Sequence, residues 1–340
     1  MEIRSDYLSG NKDFMTFLDT TSDRSGMRNM AMWIRNLRDN SELFKKTGWA
    51  TEKLQGLYKD KTAVIMGASP AIQKQIGILK ELQNDNDFVL CGLSSNLEYL
   101  LNNGIQPKYC ITVDGDPSQG EFFETMDMDR TKDITLISNC YSYPAMLKKW
   151  KGPLYFLGLD SADKKFQKMH KKYFGSLNGI GDPFPSIVCQ FNIITAVSVL
   201  IFECKIVIFV GHELSFKDEK STYYVDREDP RDKDKRFPHG DIYGGITYTT
   251  PDLLAVKYSL EGFLELLSKA GWFFNCTEAG IFGITKRFPD LHVPWIQQLT
   301  LKNGIAQARH IMRTGEPFYT YENKSTVMVP NMLNRVSFMK

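Results

Sequence analysis

The chain has 340 residues and a mass of 39.0 kDa, enough to bury a full core as one large domain with additions or as two domains. Its 42% hydrophobic and 24% charged residues are typical of a soluble globular protein. The formal net charge is only +2, and Lys and Arg are mixed with acids, so duplex DNA and anionic membranes have no electrostatic basis for binding. We therefore expect neither nucleic acid nor a membrane as a partner.

The opening MEIRSDYLSG lacks both a basic start followed by an apolar segment and a small-residue cleavage site, so we expect no export signal and a cytoplasmic location.

The first 60 residues favour helices. Aromatic, Met and Leu positions recur at helical spacing among charges, as in MRNMAMWIRNLRDNSELFKK. We expect residues 1–60 to form an N-terminal helical region packed on the main body.

From residue 61 onward, short apolar runs alternate with helical patterns. The strand-like runs are 62–66, 88–91, 109–113, 134–138, 153–157, 205–210 and 271–275, and the helix-like stretches lie near 71–83, 95–103, 143–150, 161–173, 187–203 and 251–269. Strands that are apolar throughout and separated by helices indicate a mostly parallel sheet covered on both faces. The predicted class for residues 61–290 is α/β.

Small or polar residues follow six of the predicted strands. The clusters are Gly67 to Pro70, Gly92 to Asn96, Asp114 to Pro117, Ser138-Asn139, Gly211 to Glu213, and Asn275 to Glu278. Ligands of parallel sheets bind at the carboxyl ends of the strands, although the same residue types also cap helices. The first cluster turns a strand into a helix that opens with Ser and Pro, which suits a phosphate at the free N–H groups, or serves as a simple connector.

The remaining regions are less regular. Residues 217–247 begin with KDEKSTYYVDREDPRDKDKRFP, which we predict is too polar for a core and forms either a lid over the strand ends or a solvated loop. Residues 291–340 are predicted to hold a helix in WIQQLTLKNGIAQARHIM and a poorly ordered tail from about Asn323.

The six cysteines lack C-x-x-C spacing and are expected to be reduced and buried. The longest apolar stretch, 193–210, is broken by Glu203, Cys204 and Lys205, so no membrane span is expected.

Four segments in order, VIMGASPAI, SSNLEYLLNNGIQPKYCITVDGDP, IFVGHELSF and FFNCTEAGIFG, resemble the MptE-like family. This domain is shared by archaeal 6-hydroxymethylpterin diphosphokinases and by the bacterial flagellin glycosyltransferases called motility accessory factors. The resemblance covers about residues 60–290. It implies a Rossmann-like, doubly wound sheet related to that of bacterial sialyltransferases that use CMP-sialic acid.

The resemblance also implies roles for individual residues. Gly67, Ala68 and Ser69 resemble the family's phosphate-side loop, with departures from its usual Gly-x-Gly-Pro-Ser. Asp114 resembles the acidic residue that ends the third strand, and Asn275 to Glu278 resemble an Asn-x-Thr-Glu element. His212 and Glu213 stand where most members have Gln and Asp. Further nucleotide-binding candidates are Ser94, Ser95, Asn96, Asn139, Thr277 and Glu278.

Sugar transfer requires a nucleotide pocket, a charge partner for the leaving group and a base for the acceptor hydroxyl. His212 is the candidate base because an ordinary His pKa is near neutral, or else it is a surface or supporting residue that orients Glu213 beside it. Glu213 and Asp114 are the other two catalytic candidates. Asp114 and Asp116 form a D-x-D pair that could hold Mg²⁺ or Mn²⁺ on a diphosphate, or simply make a turn.

Three functions remain open at this point. One is a transferase with a CMP-type sugar donor, such as a nonulosonic acid donor, and a sugar or protein hydroxyl acceptor. The second is an ATP- and Mg²⁺-dependent pterin diphosphokinase, and the third is a non-catalytic binding or structural protein, which the changes at 212 and 213 favour. The additions at both ends and the charged segment favour the glycosyltransferase branch.

Overall fold

The computed structural model describes residues 12–158, 163–175, 189–228, 233–284 and 293–318. Its centre is an eight-stranded sheet in the order β10-β9-β6-β1-β2-β3-β4-β5, and every neighbouring pair runs parallel. The strands are β1 (Thr62–Met66), β2 (Phe88–Leu93), β3 (Tyr109–Thr112), β4 (Thr135–Asn139), β5 (Leu154–Leu157), β6 (Ile206–Val210), β9 (Trp272–Asn275) and β10 (Gln297–Gln298). The hairpin of β7 (Phe237–Gly240) and β8 (Ile246–Thr249) forms a separate antiparallel pair.

Helices cover both faces of the sheet. They are α1 (Lys12–Thr47), α2 (Ala50–Leu54), α3 (Ile76–Leu82), α4 (Leu97–Asn102), α5 (Pro144–Lys149), α6 (Lys164–Phe174), α7 (Gln190–Ala196), α8 (Pro251–Leu267) and α9 (Leu301–Thr314), and α7 continues as a π-helical turn over Val197–Ile201. Alternate residues of β1 face opposite clusters. Ala63 and Ile65 pack with α7 and α8, whereas Val64 and Met66 pack with α3 and α9. The α/β, doubly wound prediction is confirmed, because apolar residues on both sides of each strand need a helical layer on both faces.

The strand order places a switch point between β1 and β6. From β1 the chain builds outward through β2, β3, β4 and β5, and then returns to add β6 on the other side of β1. Loops that leave neighbouring strands in opposite directions open a crevice at their carboxyl ends. A binding site is therefore expected at the residues that follow Met66 and Val210.

Two regions differ from their sequence-based predictions. The polar segment after Lys217 does contribute to a core, because Tyr223 and Tyr224 are buried with Phe216 and Ala68. Two aromatic side chains within the charged run outweigh its average polarity. The expected C-terminal helix is preceded by β10, and the helix itself begins only after Thr300, whose side chain accepts a hydrogen bond from the N–H of Asn303.

The remaining general predictions have mixed outcomes. All six cysteines are free, and five of them are buried, with Cys189 half-buried. Across the described ranges, no helix combines the length and apolarity that a membrane crossing requires. The predicted tail after Asn323 lies outside the described residues.

Candidate functional site

The turns after β1 and β6 touch through their backbones. The N–H of Gly67 donates to the carbonyl of Val210 at 2.7 Å, and the N–H of Ser69 donates to the carbonyl of Gly211 at 3.3 Å. A Cβ atom at Gly67 would overlap the Gly211 carbonyl oxygen, so only glycine permits this approach. Two of the N–H groups predicted to cradle a phosphate therefore join the two turns.

The carboxylate of Glu213 lies at the same turn. It accepts a hydrogen bond from the backbone of Ala71, in the 3₁₀ turn Pro70–Gln75, while its own N–H donates to the Ser69 hydroxyl at 3.4 Å. Desolvation raises the pKa of Glu213 to about 7, and the Ala71 bond and the Lys74 ammonium oppose the rise only in part. The Glu213 carboxylate thus accepts from a backbone N–H group at the start of the helical turn, where the sequence analysis placed a phosphate.

His212 is 1% exposed. Its backbone N–H donates to the Thr277 hydroxyl at 3.0 Å, and its Nδ1 lies 2.9 Å from the Val210 carbonyl, so Nδ1 carries the proton and donates. The ring packs against Phe191, Phe209 and Phe282. Desolvation lowers the pKa of His212 to about 3, which the Val210 bond only partly opposes. The expectation of a near-neutral pKa is wrong, since the sequence does not reveal this burial.

The loop after β2 is tied to β1. Asn96 accepts from the N–H of Leu93 at 2.9 Å and donates to the carbonyls of Met66 and Gly67, each at 2.8 Å. Ser94 accepts from the Gln190 amide at 3.0 Å at the start of α7. The side chain of Asn96 therefore holds the neighbouring loops in place, while Ser94 connects the strand ends to α7.

The charged segment crosses these strand ends. The N–H of Val225 donates to the Ala68 carbonyl at 3.0 Å, and Arg227 donates to the carbonyl of Ser95. The Arg227 guanidinium lies 4.7 Å from the ring centre of Phe122 and 5.2 Å from that of Tyr224. Residues 217–228 thus occupy the position expected of a lid, and residues 229–232 lie outside the described residues.

The D-x-D pair follows β3. Asp114 is exposed, and partial desolvation, followed by the charge of Asp116, raises the pKa of Asp114. Asp116 caps the 3₁₀ turn that follows it by accepting from the N–H of Ser118 at 2.9 Å. Within the described part of the chain, no group of three or more His, Cys, Asp or Glu is placed to hold a metal ion. The Asp116 carboxylate thus serves in the turn that the sequence analysis gave as the alternative to a metal site.

Helix α1 fixes the loops around this pair. The Asn36 amide donates to the carbonyls of Gly115 and Tyr141, each at 2.9 Å. One turn later, Asn40 donates to the carbonyls of Cys140 and Ser142 at 3.0 and 2.8 Å. The N-terminal helix therefore shapes the carboxyl ends of β3 and β4.

The other predicted binding residues mostly close loops. Asn139 donates to the Val113 carbonyl and accepts from the N–H of Tyr141 at 3.1 Å. Asn275 donates to the Phe282 carbonyl and to Gln298, each at 2.9 Å, and Glu278 accepts from the N–H of Leu301 at 3.0 Å, at the start of α9.

The structure thus brings the predicted residues together in two groups. Those at the ends of β1, β2, β6 and β9 surround the switch point, namely Gly67, Ala68, Ser69, Ser94, Ser95, Asn96, His212, Glu213, Asn275, Thr277 and Glu278. Asp114, Asp116 and Asn139 follow β3 and β4 beside α1. Sequence reasoning missed Gln190, Phe191 and Arg227, because nothing in their local sequence sets them apart.

A family model described as 6-hydroxymethylpterin diphosphokinase MptE-like matches residues 34–219, more than half of the chain. The chain belongs to the MptE-like family. Membership confirms the family that the four sequence segments suggested, and the match includes both β1 and β6 of the switch point.

The fold is also similar to the structure of the MAf glycosyltransferase from Magnetospirillum magneticum AMB-1. The TM-score is 0.52 at 13% sequence identity, and the alignment covers 78% of this chain and 42% of that chain. The present chain thus spans about two fifths of that protein, and the likeness concerns the fold alone. A search of the curated proteins finds no match.

Proposed function

We propose that this protein is a nucleotide-sugar-dependent glycosyltransferase that uses a CMP-type donor and a hydroxyl acceptor, with its site over the ends of β1, β2 and β6. The observation that carries the proposal is Glu213, a partly buried carboxylate at the switch point whose pKa is raised to about 7. A general base works best when its pKa is near the working pH. Family membership and the fold shared with a glycosyltransferase agree with the reaction class.

In the proposed reaction, the acceptor hydroxyl oxygen attacks the anomeric carbon of the donor while Glu213 takes the hydroxyl proton. The bond from that carbon to the nucleotide phosphate breaks, and the phosphate leaves with the electron pair. Arg227 is the nearby cation suited to the leaving charge, because its guanidinium is already fixed over the β2 loop. Ser94 and Ser95 in that loop are the proposed nucleotide contacts, and Asp114 with Asp116 would hold Mg²⁺ or Mn²⁺ if the donor phosphate brings one.

The D-x-D pair supports one alternative. Two adjacent carboxylates at the end of β3 suit Mg²⁺ on ATP, as a pterin diphosphokinase requires. That enzyme would need no base with a near-neutral pKa at position 213. The second alternative, a non-catalytic binding protein, predicts no nucleotide binding at all.

A ligand panel separates the three functions. Binding to the native state raises the melting temperature by mass action, and a ligand at 100 times its Kd contributes about 2.7 kcal/mol. We expect CMP to raise the melting temperature without a metal. A rise with ATP only when Mg²⁺ is present would favour the diphosphokinase, and no response to CMP, CDP, UDP, GDP or ATP, with or without Mg²⁺ or Mn²⁺, would favour the binding protein.

Variants then test the base. Glu213→Gln should bind the nucleotide as wild type does but lose transfer activity by about 100-fold or more. Glu81→Gln, an exposed carboxylate on α3, is the matched control and should keep full activity. Full turnover by Glu213→Gln would remove Glu213 from the role of base.

A further inference from the structure

The imidazole of His212 presents a hydrogen-bond acceptor that the described residues leave unused. Because Nδ1 donates to the Val210 carbonyl at 2.9 Å, Nε2 carries the free lone pair. Nε2 is buried and has no hydrogen-bond partner among the described residues. A buried acceptor without a donor is unfavourable, so the atom calls for a group that brings a donor.

Gln190 presents a second unused atom nearby. Its amide nitrogen donates to the Ser94 hydroxyl at 3.0 Å, whereas its buried Oε1 has no partner within the described ranges. The next residue, Phe191, places its ring centre 4.1 Å from that of His212. The first turn of α7 therefore contacts the loop after β2 through Gln190 and the His212 imidazole through Phe191.

Aromatic rings surround the His212 imidazole. Phe209 and Phe282 are fully buried behind His212, with ring centres 5.2 and 6.1 Å away. Phe191, on the other side of the imidazole, is only half-buried. Apolar rings that flank hydrogen-bond acceptors suit a molecule with C–H faces and hydroxyl donors, and they suit a phosphate poorly, since phosphate oxygens are themselves acceptors.

From this arrangement we infer that His212, Gln190 and Phe191 form the subsite for the hydroxyl-bearing sugar ring of the donor, separate from the groups that hold its nucleotide. A sugar hydroxyl donates to Nε2 of His212, a second hydroxyl or amide N–H donates to Oε1 of Gln190, and the ring packs on Phe191. This inference rests on the proposed function and specifies which part of the substrate each side of the crevice binds. His212 is then a binding residue that orients the sugar, while Glu213 handles the proton.

Nitrogen NMR of the imidazole gives a direct test. The protein is labelled with ¹⁵N-histidine and titrated with CMP and with CMP-N-acetylneuraminic acid, or with UDP and UDP-glucose if UDP is the nucleotide that raises the melting temperature. The sugar nucleotide should shift the Nε2 resonance of His212, because that atom gains a donor, and the nucleotide alone should leave it in place. A shift with the nucleotide alone would overturn the inference.

Affinity measurements on variants give an independent test. His212→Phe keeps an aromatic ring but removes the acceptor, so it should weaken the sugar nucleotide by about tenfold and leave the nucleotide affinity unchanged. His212→Gln restores an acceptor and should recover most of the loss. His170→Phe is the matched control, because His170 is also buried among aromatic rings but on α6, and it should affect neither ligand.

The outcomes separate this inference from the proposed function. If the nucleotide binds but His212→Phe weakens both ligands equally, or neither, the sugar subsite is wrong and the glycosyltransferase proposal stands. If no nucleotide or sugar nucleotide binds the wild-type protein, the proposed function fails and the subsite fails with it.

Discussion

Replacing Glu213 by Gln should stabilise the folded protein at alkaline pH and at the same time remove its activity. The glutamine keeps an oxygen that can accept the Ala71 bond but cannot ionise. The folded state therefore no longer has to hold a desolvated negative charge. Stability gained at the expense of function is expected where an active site maintains an unfavourable group.

The size and the pH window follow from the pKa. In the unfolded chain Glu213 ionises at an ordinary 4.5, and in the folded chain at about 7. This difference corresponds to about 3 kcal/mol. Because the folded state binds the proton more tightly, the free energy of unfolding falls as the pH rises from 4.5 to 7 and stays low above 7. The advantage of Glu213→Gln should therefore be near zero below pH 4.5 and about 3 kcal/mol above pH 7.

Urea denaturation of both proteins at several pH values measures this difference. Glu81→Gln again serves as the control, because replacing an exposed carboxylate should change the free energy of unfolding only slightly. If Glu213→Gln is less stable than wild type at pH 8, or if the difference between them does not change with pH, then the Glu213 carboxylate is not the strained group that we describe.

Three further predictions concern the surroundings of the site. Burial lowers the pKa of His212 to about 3, so NMR should show a neutral ring from about pH 5 to 8. The free energy of unfolding should fall as the pH drops below 6.5, because only the unfolded chain then takes up the proton. An NMR titration of the imidazole with its midpoint near pH 6.5 would contradict this. Gly67→Ala drives a Cβ onto the Gly211 carbonyl and should lower the free energy of unfolding, measured in urea, by about 1–3 kcal/mol. Gly77→Ala, in helix α3 with nothing within 4 Å of the new Cβ, should raise it by about 0.5–1 kcal/mol. Equal effects of the two substitutions would refute the close approach at Gly67. Asn36→Ala removes the amide that donates to two loop carbonyls and should lower the free energy of unfolding by about 1–3 kcal/mol. No change in stability would show that α1 does not hold these loops in place.

The sheet was predictable because its strands carry a strong local signal. Runs such as AVIM, which follows Thr62, and IVIFV are apolar at every position. The observed bounds of the two strands, Thr62–Met66 and Ile206–Val210, lie within a residue of the predicted ones. All seven predicted strands are confirmed. The hairpin of β7 and β8 was missed because its sequence is polar and short. Strand β10 was missed because two residues are too few to show a periodic pattern.

The site was predictable in position but not in chemistry. The alternation of strands and helices predicted a parallel sheet with the polar clusters at the carboxyl ends of its strands. It did not fix the strand order, which brings the clusters after β1 and β6 together. Protonation depends instead on tertiary burial, so the sequence could not reveal that His212 is held neutral among aromatic rings or that Glu213 is the group poised near pH 7. Arg227 was missed for a related reason, since only the path of the chain over β2 distinguishes it from neighbouring charges.

The central claim is that a nucleotide sugar binds over the carboxyl ends of β1, β2 and β6, and the structure of a complex with CMP tests it most directly. We predict that the nucleotide lies beside the loop after β2, with its phosphate near Arg227. Elsewhere in the fold, Phe88 and Leu90 of β2, the loop 104–108 that leads into β3, and Arg130 line a cavity of about 730 Å³. Nucleotide bound in that cavity, with none at the switch point, would contradict the account.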